Sequence, residues 1–203
     1  MNQPTEYPGQ LKNILATVLL VLILQGCTSS PTHKQWQHAI KAGYWQAEGK
    51  IGLIYNGQGQ QANFDWKNHN HNYTIALFGP LGQGRVELSK NGDTYRATNE
   101  KTEHQAPSAE ALLEEMLGWS LPVSGLQYWI LGQSNPLAAI ELAQNDNIGR
   151  LQRLKQQGWT IDFSHQSEQD QQSELPRKII AKRDNLKLTV VIKRWQALAA
   201  HGI

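Results

Sequence analysis

Apolar and polar residues alternate with a period of two over most of the chain from Ala47 onward, which is typical of half-buried β-strands. Turn dipeptides such as Asn56-Gly57 and Asn91-Gly92 separate these runs and favour tight hairpins, and a polar cluster at 68–72 predicts another turn. The pattern predicts strands at 47–56, 62–67, 73–78, 85–89, 94–98, 138–142, 150–156, 159–164, 178–182 and 186–195.

A helical spacing of apolar residues interrupts the strands in the middle of the chain. A helix is predicted to begin at Pro107-Ser108, with Ser108 or a neighbour as its cap, and to end at Gly118 and Pro122. Its apolar stripe consists of Leu112, Leu113, Met116 and Leu117. A second short helix follows, with an apolar stripe formed by Leu126, Trp129, Ile130 and Leu131, and Gly132 closes it.

Two further segments have their own patterns. Residues 33–42 have the spacing of a short helix that Gly43 stops. Residues 166–174 are polar, acidic and rich in Gln, which predicts a mobile loop.

The order of elements predicts a mainly β architecture. Ten or eleven antiparallel strands in one chain tend to curl into a barrel or half-barrel, because closure reduces the number of unpaired strand edges. The inserted helices are apolar on one face, so they are expected to cover an open side. We therefore expect an incomplete antiparallel β-barrel of about eleven strands, with helices over its interior.

The amino terminus has the pattern of an export signal. Residues 14–24 form an apolar run of eleven residues, whereas a helix that spans a bilayer needs about 20. The run ends at Leu24-Gln25-Gly26-Cys27, which resembles the lipobox of bacterial lipoproteins. This predicts a signal peptide at 1–26, a flexible tether at 27–32 and a single domain at 33–203.

The lipobox resemblance also implies where the protein resides. Cys27 is the only cysteine, so an intrachain disulfide is impossible, and the resemblance implies that this residue carries the lipid. Thr28 follows it, whereas an Asp at that position would favour retention in the inner membrane. We expect the protein to reside at the periplasmic face of the outer membrane.

Composition and motifs argue against several functional classes. The net charge is +2, with Lys and Arg spread among the acids, so nucleic-acid binding is not expected. The sequence contains neither a G-x-S-x-G elbow nor an H-E-x-x-H motif. His69 and His71 are best explained as solvated turn residues rather than as metal ligands. We expect neither an enzyme nor a cofactor.

The loop at 78–84 is unusual because its tip is apolar. Pro80 at the second position and Gly82 at the fourth suit a type I turn, which would place Leu81 at the tip. From the residues alone, Leu81 either points into solvent or folds back onto the rim of the core.

Taken together, the chain resembles the LolB family of outer-membrane lipoprotein receptors. The resemblance is carried by the segment 45–52, the turn Pro80-Leu81-Gly82, the segments 121–122 and 126–132, and the lysine-containing end of the last strand. It implies an incomplete barrel around an apolar cavity. It also implies a chaperone role in protein transport, in which acylated lipoprotein cargo passes from a periplasmic carrier of the LolA type to outer-membrane lipid.

The resemblance assigns roles to two groups of residues. It implies that Leu81, flanked by Pro80 and Gly82, dips into the membrane and helps to release the cargo. Cavity candidates are the apolar side chains of the sheet and helices, for which ordinary core packing is the alternative: Phe64, Trp66, Ile75, Leu77, Leu113, Met116, Leu117, Trp129 and Ile130. The chain is expected to act as a monomer. The alternative function is that of another lipid-handling outer-membrane assembly lipoprotein without the receptor role.

Overall fold

The computed structural model describes residues 38–118, 121–165 and 175–199, except for the side chain of Leu117. These residues form one antiparallel sheet of eleven strands. The strands are β1 (Tyr44–Tyr55), β2 (Gln58–His69), β3 (Asn72–Phe78), β4 (Val86–Asn91), β5 (Thr94–Thr98), β6 (Glu103–Ala106), β7 (Ile140–Asn145), β8 (Leu151–Gln156), β9 (Trp159–Ser164), β10 (Lys178–Arg183) and β11 (Leu186–Ala197).

The sheet is open rather than closed. Its strand order is β6-β5-β4-β3-β2-β1-β11-β10-β9-β8-β7, so the first and last strands pair in the middle while β6 and β7 form the two edges. This confirms the expected incomplete antiparallel barrel. The alternation pattern missed β6, because the sequence Glu-His-Gln-Ala contains no run of large apolar residues and the strand pairs only with β5.

One face of the sheet forms the core. A row of side chains crosses five neighbouring strands in register at almost complete burial: Leu53, Leu188, Ala181, Ile161 and Leu154. Successive residues of a strand point to opposite faces, so this row fixes which residues of each strand face inward. We call the buried side the inner face and the other side the outer face.

Two helices lie between β6 and β7: α1 (Ala109–Leu117) and α2 (Val123–Trp129). The Ser108 hydroxyl accepts a hydrogen bond of 3.1 Å from the Ala111 amide at the start of α1, and Gly118 ends the helix with a φ of +75°. The predicted cap and stop of this helix are therefore confirmed. Helix α1 packs against β5, β6 and α2.

The predicted turn at 68–72 begins two residues too early and ends one residue too late, because β2 ends at His69 and β3 begins at Asn72. Asn68 lies in β2 and is buried, and its side-chain amide donates 2.7 Å to the Gly43 carbonyl and 3.1 Å to that of Asn70. These bonds satisfy a polar group that would otherwise disfavour burial.

Four other predictions fall partly or wholly outside the described residues. Residues 38–41 are helical, and the rest of the expected helix at 33–42 lies mostly outside the described residues. The signal peptide at 1–26, the tether at 27–32 with Cys27, and the loop at 166–174 also lie outside them.

Gly49 allows β1 to pair with β11 through an irregular step. The register shifts between Glu48 and Gly49, and a Cβ added at Gly49 would lie 2.0 Å from the Val191 carbonyl oxygen. We expect Gly49→Ala to lower the free energy of unfolding by about 2 kcal/mol, because the backbone must shift to accept the methyl group. Urea denaturation measures this value. Gly52→Ala in the same strand is the control, since its Cβ would meet nothing closer than 4.0 Å; an equal loss there would contradict the steric explanation.

Candidate functional site

An apolar cavity lies between the inner face of the sheet and the two helices. Its volume is about 30 Å³, room for little more than one water-sized sphere. Its wall consists entirely of apolar residues: Ile51, Phe64, Trp66, Ile75, Leu77, Leu88, Leu113, Leu121, Val123, Leu126, Ile130 and Val190. Cavities with such walls stay dry. In this conformation the cavity is therefore too small for a hydrocarbon chain. Such a chain can enter only if α1 and α2, which we call the cover, move away from the sheet.

A larger opening of about 310 Å³ adjoins this cavity. The two share Ile51, Leu77 and Leu121 in their walls. The opening is bordered by exposed amide side chains of β2 and by the loop that joins β3 to β4, through Gly79, Gln83 and Gly84. We call it the mouth. The apolar interior therefore reaches the surface beside one particular loop.

That loop presents Leu81 to solvent. Its side chain is 96% exposed, so the outward alternative for Leu81 is the one observed. The Gly79 carbonyl accepts 3.2 Å from the Gly82 amide, and the Gly79 amide donates 2.8 Å to the Gln83 carbonyl, so the tip is held by its own backbone.

The expected type I turn is wrong. Leu81 has a φ of +62°, as at the third position of a type II turn, where Gly is usual. A leucine in this region costs free energy, and such strain persists mainly where function requires it.

Few polar contacts fix the helices over the cavity, and they differ in burial. Two contacts of α1 are exposed. Glu110 accepts 2.7 Å from the Ser124 amide of α2, and Glu115 lies 2.9 Å from the ring nitrogen of His104 on β6. By contrast, the wholly buried Gln156 of β8 holds the segment after α2.

Gln156 makes three short hydrogen bonds to backbone groups of that segment. Its Oε1 accepts 3.0 Å from the Asn135 amide, and its Nε2 donates 2.8 Å to each of the carbonyls of Asn135 and Ala138. Its Oε1 also lies 3.5 Å from Trp129 Nε1. A buried amide thus fixes the segment that follows α2 to the sheet.

Two buried polar groups lie on Trp66, which lines the cavity, and on Tyr73, whose ring packs 6.0 Å from that of Trp66. Trp66 Nε1 and the Tyr73 hydroxyl are buried, and neither has a hydrogen-bond partner among the described residues. Burial, with smaller contributions from Tyr95 and Glu110, raises the pKa of the Tyr73 hydroxyl far above its usual range, so this group stays protonated. Neither group therefore adds a charge beside the apolar cavity.

Comparison with known proteins identifies the family. The family model described as "Outer membrane lipoprotein LolB" matches residues 43–195. The outer-membrane lipoprotein LolB of Francisella tularensis subsp. tularensis (strain WY96-3418) is 34% identical over 195 residues, which cover 91% of this chain and 94% of the relative. The chain belongs to the LolB family.

A second relative supports the same family. The outer-membrane lipoprotein LolB of Chromohalobacter salexigens is 34% identical over 193 residues, covering 90% of this LolB-family chain and 89% of that protein. Among solved structures, a LolA superfamily protein from Nitrosomonas europaea matches with a TM-score of 0.45 at 9% identity, over 84% of this chain and 94% of that one. Because the LolB family consists of outer-membrane lipoproteins rather than enzymes, the expectation of a non-enzymatic protein is confirmed.

The nine cavity candidates of this LolB-family chain lie in different surroundings. Six line the cavity: Phe64, Trp66, Ile75, Leu77, Leu113 and Ile130. Met116 is partly buried against the core, and the side chain of Leu117 lies outside the described residues. Trp129 does not line the cavity; its ring packs 6.0 Å from that of Trp159.

Sequence reasoning missed as many wall residues as it placed there: Ile51, Leu88, Leu121, Val123, Leu126 and Val190. Those on strands occupy inward positions of the same alternation, so the signal was present.

The described residues also address metal binding and membrane spanning. No group of three potential metal-ligating side chains occurs among them. His69 ends β2 and packs edge-on against Tyr44 at 6.4 Å. No helix in the described ranges combines the length and apolarity needed to traverse a bilayer.

Proposed function

We propose that this protein receives acylated lipoproteins from a periplasmic carrier of the LolA type and inserts them into the outer membrane. The observation that carries the proposal is the apolar cavity whose mouth opens beside the exposed Leu81. In this proposal the acyl chains of the cargo occupy the cavity. Cys27 carries the lipid that holds the protein, as a monomer, at the periplasmic face of the outer membrane.

The solvation of acyl chains explains why such a protein is needed. A triacylated lipoprotein carries roughly 45 methylene groups, and their exposure to water costs on the order of 35 kcal/mol. Passage from one apolar cavity to another avoids this cost. The wall of the cavity is entirely apolar, which is what a hydrocarbon chain requires.

The small volume of the cavity fits a protein whose cover opens for cargo and closes again. Cargo separates the helices from the sheet, which costs their packing free energy, and the bound chains offset this cost. When the cargo leaves, the cover closes again on the apolar wall. The empty protein therefore hides its apolar surface from water.

A transfer assay tests the receptor role. Carrier loaded with radiolabelled lipoprotein is mixed with this protein, and the label bound to each is measured after separation. We expect acylated cargo to move to this protein and non-acylated cargo to stay behind, because only the acyl chains gain from the cavity. A protein that binds free fatty-acyl lipid but takes no lipoprotein from the carrier would instead fit the alternative of a different lipid-handling outer-membrane lipoprotein.

A further inference from the structure

One end of the sheet concentrates the exposed apolar side chains. Five of the seven large ones among the described residues lie at this end: Ile54, Tyr55, Leu81, Leu137 and Ile140. The register places them at the same end of their strands, because Phe78 pairs with Asn63 near the start of β2, and Ile140 pairs with Gln156 at the end of β8. We call it the loop end, after the loop that carries Leu81.

A row of lysines crosses the outer face at the same end. Lys187 of β11 lies directly opposite Lys182 of β10, and Thr160 of β9 separates Lys182 from Lys155 of β8. The neighbouring residues Leu188, Ala181 and Leu154 are fully buried on the inner face, so the three lysines point outward. We call Lys155, Lys182 and Lys187 the lysine row.

The charges of this row are not neutralised within the described part of the protein. None of the three lysines forms an ion pair there; nearby, Asp162 pairs with Arg153 at 2.6 Å, and Glu141 accepts 3.4 Å from the Gly158 amide. Asp184 is the acid in the turn between β10 and β11. Like charges directly opposite each other destabilise an antiparallel pair, so the Lys182–Lys187 pair costs stability unless an anion binds it.

We propose that the lysine row binds the anionic phospholipid headgroups of the membrane that the Leu81 loop enters. Charge complementarity and position favour this partner, because the row and the exposed apolar side chains lie at the same end of the sheet. Each lysine near an anionic surface contributes about fivefold in binding. The inference rests on the proposed function in taking the loop end as the membrane-facing end.

Lysine footprinting tests the binding of the lysine row to anionic headgroups without altering the fold. The full-length protein, isolated from membranes, is reconstituted into vesicles of phosphatidylcholine alone or mixed with phosphatidylglycerol, and a water-soluble acetylating reagent is applied. Mass spectrometry of peptides gives the rate at each lysine. Lys178 is the matched control, because it lies on the same strand and face as Lys182 but about 13 Å further from the loop end.

We expect acetylation of the lysine row to be about fivefold slower with phosphatidylglycerol, while the rate at Lys178 is unchanged. High salt should abolish the difference, because it shortens the Debye length. The double variant Lys182→Gln/Lys187→Gln should lose the protection of Lys155, whereas Lys67→Gln/Lys178→Gln, with the same net charge, should keep it.

Three results would overturn the assignment. Equal rates in both kinds of vesicle would exclude headgroup recognition, and equal slowing at Lys178 would remove the specificity for the loop end. Protection by a soluble acidic carrier protein, but not by vesicles, would assign the row to a protein partner. None of these results contradicts the transfer of acylated cargo, which the assay of the receptor role measures separately.

Discussion

Replacing Leu81 with glutamate is expected to slow insertion of cargo severely while leaving the protein folded. The leucine side chain is 96% exposed, so its loss removes no core packing, and the free energy of unfolding should change by no more than about 0.5 kcal/mol. Burial of a leucine in lipid is favourable, whereas a carboxylate there is costly. The lost burial of leucine and the cost of the carboxylate together come to about 3 kcal/mol, which corresponds to a roughly hundredfold slower insertion.

The measurement is the rate at which labelled lipoprotein becomes resistant to extraction from vesicles. Ile148→Glu is the matched control, because it places the same charge on an exposed apolar residue in the β7–β8 turn, at the opposite end of the sheet. Leu81→Gly separates the contribution of the side chain from that of the backbone. Glycine keeps the left-handed turn without the strain of a Cβ, so the free energy of unfolding should rise by about 1 kcal/mol. If Leu81→Glu delivers cargo at the rate of the unaltered protein, the membrane role of this loop is wrong.

Alternation of side chains made most of the sheet predictable from the sequence. Leu188, Val190 and Ile192 face the core because a strand of period two leaves no other choice once one face is buried. The same rule fails for β6, whose four residues have no large apolar side chain and lie at an edge. Pairing with β5, rather than any pattern of its own, makes it a strand.

The site was predictable only in part, because the buried residues of one helix can contact different parts of the sheet. Trp129 and Leu126 both belong to the buried set of α2, yet Leu126 lines the cavity and Trp129 packs on Trp159. Periodicity indicates that both are buried but not which neighbour each contacts. The turn at Leu81 was misjudged for a related reason, since its positive φ follows from the loop's closure and not from the residue type.

Removal of the Gln156 side-chain amide should be among the most destabilising single changes in the described part of the protein. Gln156→Leu keeps a similar volume but leaves the buried Asn135 amide without its partner. It also removes one hydrogen bond from the Asn135 carbonyl, which still accepts from the Ala138 amide, and one from the partly buried Ala138 carbonyl. We expect the free energy of unfolding to fall by about 3 kcal/mol, since a buried unsatisfied group costs 1–3 kcal/mol and each further lost hydrogen bond about 1 kcal/mol. Urea denaturation followed by tryptophan fluorescence gives the value.

The loss of stability should also affect the cover of the cavity, because the hydrogen bonds of the buried Gln156 side chain join the sheet to the segment that follows α2. Amide hydrogen exchange at 130–138 should therefore be faster in Gln156→Leu than in the unaltered protein at equal denaturant. Gln152→Leu, on an exposed position of the same strand, should change the free energy of unfolding by no more than about 0.5 kcal/mol. If both variants unfold at the same urea concentration, the buried amide does not hold the cover, and packing of Trp129 against Trp159 must hold it instead.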